Sequence, residues 1–465
     1  MEREVLITKG TQRWQYLFLF VVVFCGLLVR LNNLTIYNTW WSEDGGAHLL
    51  YVEKVARDWS LPMMDYQPSP SGETNYLAWH EPGYYVLMAA WTWLGGEFTS
   101  SDTRLDWQEL FQVLVYLFSV WVVWRLAGEL TGSRCLKVLG VLVTAFLFVG
   151  LKLTAYLNNE YLAQSLILFL IYLFLHWRLF EGEKMMKLAW WSVILALGML
   201  VKLTVVLPGI AAGLVWVIFG LKDRRKKAFV SILLSTFIIL CLQTPWLVYK
   251  KQEFGKAWTI NVFEKDNQQS LLASTGWKTL VQLNTQVIYS RPFWPTTPYS
   301  FSAILLADIF ADYYGVFSHP GQFGTITGSD LIFLPSKRYT DLSLWQRNLF
   351  MIRWGLLIVL SWSIGLGAWF WSWYRQKKIE SRDVFLGLLL LGGIMALVYN
   401  LLRYPYPERG VIKASFVFYL WPLLTLVAGQ AGQIWAGRWW LAVNYFLWFI
   451  YLIFSWPVIW LLWGY

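Results

Sequence analysis

The sequence predicts an all-α, polytopic membrane protein with about eleven membrane-spanning helices. Of its 465 residues, 57% are hydrophobic and only 14% are charged, whereas about a quarter of the residues in a soluble domain are charged. Apolar runs of about 18 residues or more recur along the whole chain, which is the length that a bilayer requires. The 32 tryptophans fit this class, since amphipathic rings favour the membrane–water interface. An ordinary soluble globule is therefore excluded.

The net charge of +10 does not indicate nucleic-acid binding, because the basic residues cluster in short loops between apolar runs. Membrane proteins retain Lys and Arg on the cytoplasmic side, so these clusters predict which loops lie inside. Residues 222–227 (KDRRKK) and 375–382 (RQKKIESR) are the strongest of them. The first apolar run, residues 14–31, lacks a small-residue cleavage site and is expected to be a retained signal anchor. The later predicted spans are residues 108–126, 136–153, 161–179, 188–201, 205–221, 229–248, 349–373, 384–402, 415–431 and 439–463.

The alternation of these spans leaves two long loops on the outer face. The prediction is an N-terminal transmembrane module, residues 1–249, that includes a first outer loop at 32–107. A second outer loop at 250–345 and the C-terminal transmembrane helices at 346–465 follow it. Residues 82–95 (PGYYVLMAAWTWLG) are apolar, but about 14 residues are too few to span comfortably. This segment is predicted to be a helix lying in, or dipping into, the outer leaflet.

The first candidate site residues are Glu43 and Asp44, two adjacent carboxylates that follow the first span. A helix is predicted to begin there, with Asp44 as its N-cap and with His48 and Tyr51 on one face. A simple helix cap at the membrane surface is the alternative interpretation.

Two further polar groups fall on the predicted outer face. His80 and Glu81 stand at the mouth of the short apolar segment, where desolvating both side chains costs free energy. An interfacial cap is the alternative. Residues 158–160 (NNE) form the entire outer turn between two predicted spans, as the polar turn of any helical hairpin would. Glu160 still adds a carboxylate to the face that carries Asp44.

Several cations also lie on the outer face. Lys202 stands between two predicted spans without a charged neighbour in the sequence. Ionisable groups at membrane depth indicate function, and snorkelling to the interface is the rival explanation. Arg403, Arg409 and Lys413 collect in one outer turn, where the charge rule disfavours them. An anionic partner such as a lipid phosphate would explain them, and Arg353 is placed to join them.

Carboxylates and cations on one face are what transfer from a lipid-linked phosphate donor requires. A carboxylate would act as general base on an acceptor hydroxyl. Cations, or a metal ion held by carboxylates, would stabilise the departing phosphate. Asp44 is the predicted base because a helix start can orient it, and Glu43 is the alternative.

The sequence resembles the GT-C superfamily of membrane glycosyltransferases. It is most similar to the branch with protein O-mannosyltransferases and bacterial lipid A aminoarabinose transferases. In that branch an acidic pair follows the first span, as Glu43 and Asp44 do, and the next helix carries a histidine, here His48. A [KHQ]-P-P-L-x-Y-like motif then opens a juxtamembrane helix, here residues 80–85 (HEPGYY).

Later motifs follow in the family's order. They are the polar turn at 158–160, a G-L-x-x-K-x-T-like stretch at 198–204, a P-W-x-x-R-N-like end of a span at 245–250, and a G-R-Y-like element at 410–413. The chain departs from the family in reading Glu-Asp rather than Asp-Glu, and in having Glu81 where a proline is usual.

The resemblance implies a GT-C fold whose two outer loops contain juxtamembrane helices. It also implies inverting transfer of a hexosyl or pentosyl group from a polyprenyl-phosphate donor to a glycan, lipid or protein acceptor. The expected location is the plasma (inner) membrane of a bacterium, with the site facing outside. Some members need a divalent ion such as Mg²⁺ or Mn²⁺ and others do not; Asp44 and Glu160 are the candidate ligands. The expected substrate-binding residues are His48, His80, Glu81, Tyr85, Asn159, Glu160, Lys202, Arg409 and Lys413.

Two other functions compete with this interpretation. A transporter or lipid flippase would predict inverted repeats and broken helices near the membrane midplane, and neither is clear in the sequence. A non-catalytic scaffold would need no carboxylates and cations gathered on one face.

Overall fold

The structure of the protein is a computed structural model. α-Helices form nearly all the regular structure that it describes. The rest is one pair of two-residue strands and a few short 3-10 segments among the described residues. An all-helical fold follows from the composition, because a helix satisfies its own backbone hydrogen bonds inside a bilayer. The described residues are 2–37, 39, 42, 44–64, 73–75, 77–96, 100–181, 185–223, 225–255, 257, 276–283, 285–290, 300–313, 342–376, 379–403 and 412–459.

The first outer loop carries two helices that do not span. Helix α1 (Glu2–Ile36) leads into the loop, where α2 (Gly45–Asp58) packs against α3 (Gly83–Leu94). Strands β1 (Met63–Met64) and β2 (Thr74–Asn75) pair in parallel between them. The 12 residues of α3 cover about 18 Å, which is short of the roughly 30 Å hydrocarbon core. A helix too short to span is therefore present where the sequence predicts a juxtamembrane helix.

The rest of the N-terminal module is a bundle in which α4 packs on α7 and α8 packs on α10. Ser100 caps α4 by accepting a hydrogen bond from the backbone N–H of Thr103, and Pro245 lies inside α10. The helices are α4 (Ser101–Leu130), α5 (Arg134–Phe146), α6 (Phe148–Leu153), α7 (Glu160–His176), α8 (Met185–Val201), α9 (Leu207–Asp223) and α10 (Arg225–Phe254).

The second outer loop and the C-terminal helices complete the fold. Helix α14 packs along both α16 and α17. The helices are α11 (Lys278–Val281), α12 (Thr285–Tyr289), α13 (Phe301–Phe310), α14 (Leu342–Gln376), α15 (Ser381–Arg403), α16 (Leu420–Ala436) and α17 (Arg438–Ile459). Short 3-10 segments lie at Leu179–Glu181, Leu203–Val206 and Ala414–Val417.

The chain is a multi-pass membrane protein. Six helices within the described ranges are long and apolar enough to cross a membrane. The count of about eleven spans stays a prediction, as do the proposed domain boundaries. The six segments are Trp14–Ile36, Ser101–Leu130, Lys226–Phe254, Trp345–Gln376, Ser381–Leu402 and Arg438–Ile459, and shorter apolar helices lie at Glu160–His176, Met185–Val201, Leu203–Phe219 and Phe301–Phe310.

Two predicted spans differ from the structure. Residues 136–153 do not form one helix, because Leu147 adopts an extended conformation (φ −64°, ψ 128°) that separates α5 from α6. The helix predicted at 415–431 begins only at Leu420, after the 3-10 segment Ala414–Val417. Hydropathy does not register either break, since the residues on both sides are apolar.

The separate helix α6 presents a buried lysine to the second outer loop. The ammonium group of Lys152 forms an ion pair with Asp308 of α13, and both side chains are almost fully buried. The other carboxylate oxygen of Asp308 accepts a hydrogen bond from the backbone N–H of Ala414, at 2.7 Å. One carboxylate therefore joins α6, the second outer loop and the segment that follows Lys413.

We expect Lys152→Met and Asp308→Asn each to destabilise the protein by about 3–5 kcal/mol, because each leaves one partner of a buried ion pair uncompensated. The double variant should lose less than the sum of the two, since the partners are in direct contact. Thermal unfolding in detergent, followed by tryptophan fluorescence, measures this. Arg57→Met is the control, because its ion pairs are half exposed and exposed pairs contribute little to stability. Strictly additive losses would contradict the pairing.

Candidate active site

Asp44 stands at the start of α2 without capping it. It occupies the N-cap position, as predicted, but its side chain makes no capping hydrogen bond. Its Oδ2 instead lies 3.9 Å from the Nζ of Lys413, and 41% of the Asp44 side chain is exposed. The carboxylate therefore faces a cation and solvent rather than the helix end.

Lys202 faces a second carboxylate. Helix α8 ends at Val201, and Lys202 is extended (φ −163°, ψ 136°) before the 3-10 segment Leu203–Val206. Its ammonium group forms an ion pair with Glu160, the first residue of α7, and both side chains are largely buried. Burial lowers the pKa of Lys202, and the carboxylates of Glu81 and Asp44 act in the opposite direction. An ammonium in this setting gains from a further anion.

Phe416 brings the two lysines to one place. The Nζ of Lys202 lies 5.4 Å from the centre of its ring, and the Nζ of Lys413 lies 6.0 Å from the same centre. The two lysines are far apart in the chain. Lys202 pairs with Glu160 of α7, and Lys413 lies near Asp44 at the start of α2. The structure therefore brings Asp44, Glu160, Lys202 and Lys413 to one end of the bundle, and their roles stay predictions.

His48, His80 and Tyr85 form the aromatic side of this site. The Nδ1 of His48 is hydrogen-bonded to the Tyr85 hydroxyl at 2.9 Å. The His48 and His80 rings are 6.1 Å apart, and Tyr51 stacks on Tyr85 at 3.6 Å. Burial lowers the pKa of His48 to about 4, with Asp44 opposing the shift and the two site lysines adding to it. His48 is therefore a neutral hydrogen-bonding group at physiological pH.

Glu81 forms an ion pair with Lys250, a residue that the sequence did not single out. Its Oε1 lies 3.2 Å from the Nζ of Lys250, and both side chains are buried. Lys250 lies near the end of α10, one turn beyond Pro245, and its ammonium group lies 5.4 Å from the ring of Trp246. In this structure Glu81 thus acts as the counter-ion of Lys250.

Close packing sets the 80–85 stretch beside Lys202. A Cβ atom on Gly83 would lie 2.7 Å from the carbonyl oxygen of Leu200, so only glycine lets α3 approach the end of α8 this closely. Asn159 points to the same helix end, with its Nδ2 3.5 Å from the carbonyl oxygen of Val201.

Four buried polar atoms at the site have no hydrogen-bond partner among the described residues. Buried polar groups are normally satisfied in folded proteins, and each exception calls for an explanation. Similar atoms occur elsewhere in the bundle, but at this site a bound polar ligand could supply the missing partners. The atoms are His80 Nδ1, Tyr51 Oη, Asn159 Oδ1 and Glu160 Oε2.

Some predicted residues do not contribute to this geometry. Glu43 and Arg409 lie outside the described residues, so their roles stay predictions. Arg353 does not join the lysines, because its guanidinium group donates to the backbone carbonyls of Ile288 and Tyr289 at 3.1 and 3.0 Å. It fixes α12 against α14 instead.

The described residues do not fit a divalent metal ion in this arrangement. Asp44 and Glu160 were the candidate ligands, but each carboxylate faces a lysine. Within the described ranges, no three His, Cys, Asp or Glu side chains are grouped to hold an ion.

Comparisons with known proteins agree with this fold. The family model "Dolichyl-phosphate-mannose-protein mannosyltransferase" matches residues 86–249, about a third of the chain. The structure is similar to the Archaeoglobus fulgidus oligosaccharyltransferase in its apo form, with a TM-score of 0.52 and 12% identity over 96% of this chain. The chain therefore shares its fold with that archaeal enzyme, in agreement with the GT-C fold expected from the sequence.

A second structure of that archaeal enzyme, AglB with an inhibitory peptide and a dolichol-phosphate, gives a TM-score of 0.51 and 11% identity over 97% of this chain. In both comparisons the match covers only 55% of the archaeal protein. No individually curated protein matches the chain in sequence. The family match includes Asn159, Glu160 and Lys202 and begins after Asp44 and Tyr85.

Acidification should destabilise the protein through His48. The unfolded histidine takes up a proton near its ordinary pKa of 6.5, whereas the folded one does so only near 4. The unfolded state therefore binds more protons between these values, and stability falls as the pH falls through this window. The loss is at most about 3 kcal/mol.

The thermal midpoint of the wild type and of His48→Gln, measured between pH 7.5 and 4.5, checks this. The glutamine amide retains a hydrogen-bonding group for Tyr85 but does not titrate, so this variant should lose less stability on acidification. A difference between the two proteins that stays constant with pH would contradict a buried, neutral His48.

Proposed function

We propose that the protein transfers a hexosyl or pentosyl group from a polyprenyl-phosphate donor to an acceptor on the non-cytoplasmic face. The acceptor is the hydroxyl of a glycan, lipid or protein. The observation that carries this proposal is the convergence of Asp44 and Glu160 with Lys202 and Lys413, beside buried polar atoms that no described residue satisfies.

The two carboxylates have different settings, which suggests different roles. Glu160 is largely buried and closely paired with Lys202, so it holds that lysine in place. The Asp44 side chain is 41% exposed and 3.9 Å from Lys413, so an acceptor hydroxyl can reach it. Asp44 is therefore the better general base, and it would remove the acceptor's proton as the hydroxyl attacks.

The reaction is a single displacement at the anomeric carbon of the donor sugar. The acceptor oxygen forms its bond to this carbon as the bond between the carbon and the phosphate oxygen breaks, which inverts the configuration. The departing polyprenyl phosphate carries the negative charge away from the sugar. Lys202 and Lys413 stabilise that charge in a setting of low polarity, where such interactions are strongest.

The chemistry of the relatives supports this proposal. The matching family is described as using dolichyl-phosphate-mannose, and the archaeal oligosaccharyltransferase was solved with a dolichol-phosphate. Both are polyprenyl phosphates or their sugar derivatives, the class of donor that two converging lysines at the outer end of a helical bundle would recognise.

The test is turnover of a panel of polyprenyl-phosphate hexoses and pentoses by the purified protein, with release of polyprenyl phosphate as the readout. We expect one donor to be consumed, and Asp44→Asn to slow its turnover by about 10²–10⁴-fold, because it removes the base while keeping the shape. Asp58→Asn, at the other end of α2 in a partly exposed ion pair, is the matched control and should retain turnover. A folded Asp44→Asn variant with full activity would exclude Asp44 as the base.

A further inference from the structure

The outer end of α4 carries three polar side chains that are completely buried within a spanning helix. Gln108, Glu109 and Gln112 are each at most 1% exposed. Burying such groups is costly unless they are hydrogen-bonded. Each of them hydrogen-bonds to a different part of the first outer loop or of the turn before α7. Helix α4 therefore fixes the positions of these segments around the site.

Glu109 holds the hydroxyl of Thr39, a fully buried residue between α1 and α2. The Thr39 hydroxyl donates to Glu109 Oε1 at 2.5 Å and accepts from the backbone N–H of Leu157 at 3.1 Å. The Thr39 hydroxyl donates its only proton to the carboxylate, so its oxygen lone pairs are available to accept from Leu157. One hydroxyl thus joins the loop before Asp44 to the turn that leads to Glu160.

Thr39, Ser42 and Gly45 are joined by hydrogen bonds at the start of α2. The hydroxyl and the backbone N–H of Ser42 both donate to the carbonyl oxygen of Thr39, at 2.9 and 3.2 Å. The backbone N–H of Gly45 donates to the Ser42 hydroxyl at 2.9 Å. A Cβ atom on Gly45 would collide with both acceptors. The position of Asp44 therefore follows that of Thr39.

The chain from Leu157 to α7 is equally constrained. The Gln112 side-chain amide donates to the backbone carbonyl of Asn158 at 2.8 Å and to the Tyr84 hydroxyl at 3.0 Å. The Asn158 side-chain oxygen accepts from the backbone N–H of Tyr161 at 3.1 Å. The position of Glu160, and of the Lys202 that it holds, therefore follows that of Leu157.

We propose that Thr39 and Glu109 are positioning residues, which fix the Asp44 side of the site at a set distance from the Glu160–Lys202 side. This inference rests on the proposed transferase function, in which the base and the phosphate-binding lysine must act on one sugar at once. Neither residue touches the donor in this scheme. Their effect on the reaction is exerted through the spacing of the two loops.

The first test is kinetic and uses matched substitutions in the full-length protein. Thr39→Val keeps the shape of the side chain and removes the hydroxyl, whereas Thr39→Ser keeps the hydroxyl. Glu109→Met removes the acceptor, whereas Glu109→Gln keeps an oxygen in its place. A misplacement of about 1 Å can cost about 10²-fold in rate, so we expect Thr39→Val and Glu109→Met to lower kcat by up to that factor.

The Michaelis constant for the donor should change little, because each half of the site stays intact. Thr39→Ser and Glu109→Gln should restore most of the turnover. Ser119→Ala is the control, since it removes a buried hydroxyl that links α4 to Ser165 of α7 at 2.6 Å. Ser119 lies about 15 Å along α4 from Glu109, so a general loss of α4 packing would appear in this variant too.

The second test does not depend on activity. Hydrogen–deuterium exchange of peptides that contain Leu157 should accelerate in Thr39→Val, which removes the acceptor of that N–H, and should not accelerate in Thr39→Ser. A wild type that turns over no donor would overturn the proposed transferase function. The exchange result would then decide alone whether the Thr39 hydroxyl holds the backbone N–H of Leu157.

The positioning role would be overturned by unchanged exchange in Thr39→Val. It would equally be overturned by faster exchange with a normal kcat, or by the same loss of kcat in Thr39→Ser and Ser119→Ala as in Thr39→Val. Each of these results leaves the transferase assignment standing as long as the wild type consumes donor.

Discussion

A lysine ammonium taken out of water costs several kcal/mol unless a carboxylate meets it, and three lysines at or near helix ends, Lys152, Lys202 and Lys250, are largely or fully buried in this way. Each is satisfied by an acidic residue from a distant part of the chain, so two of the pairs dock the long loops on the helices and the third joins α7 to α8. The pairs are Lys152–Asp308, Lys202–Glu160 and Lys250–Glu81. Without them, the loops would have to bury uncompensated charge or remain in water.

The degree of burial also distinguishes the lysines that only stabilise the fold from the lysine that can bind a ligand. Lys152 and Lys250 are almost fully buried against their carboxylates. Lys202 is less enclosed, and it shares the ring of Phe416 with Lys413, so it can meet an incoming anion without losing Glu160. The histidines beside it are kept neutral by burial, since their pKa values are lowered. Neutral rings at this position can hydrogen-bond to sugar hydroxyls without competing for the phosphate.

The sequence predicted the class of fold, and it singled out several residues of the candidate site for simple physical reasons. Polar residues between long apolar runs are easily seen, which is why Asp44, Glu160 and Lys202 were identified. The charge rule for loops then placed them on one face. The juxtamembrane helix α3 followed from length alone, because its apolar segment is too short to span.

Pairing and local breaks were not predictable in the same way. Glu81 was expected to bind substrate, but its partner Lys250 lies 169 residues away in the chain, and no local pattern links the two. The helix break at Leu147 could not be predicted, because no proline or glycine occupies that position. Glu109 is the second residue of the span predicted at 108–126, and a carboxylate at the end of a span normally indicates a solvated helix end, so the sequence did not mark it as buried.

Binding of undecaprenyl phosphate to the purified protein and to Lys202→Gln tests most directly whether this outer site receives a lipid phosphate. Glutamine can still hydrogen-bond to Glu160 but carries no charge. A lost charge-assisted hydrogen bond is worth about 1.5–3 kcal/mol, so the substitution should weaken binding by about tenfold or more, while Arg57→Gln on the outer rim should bind as the wild type does. Equal affinity in the wild type and the Lys202→Gln variant would contradict a phosphate site at Lys202.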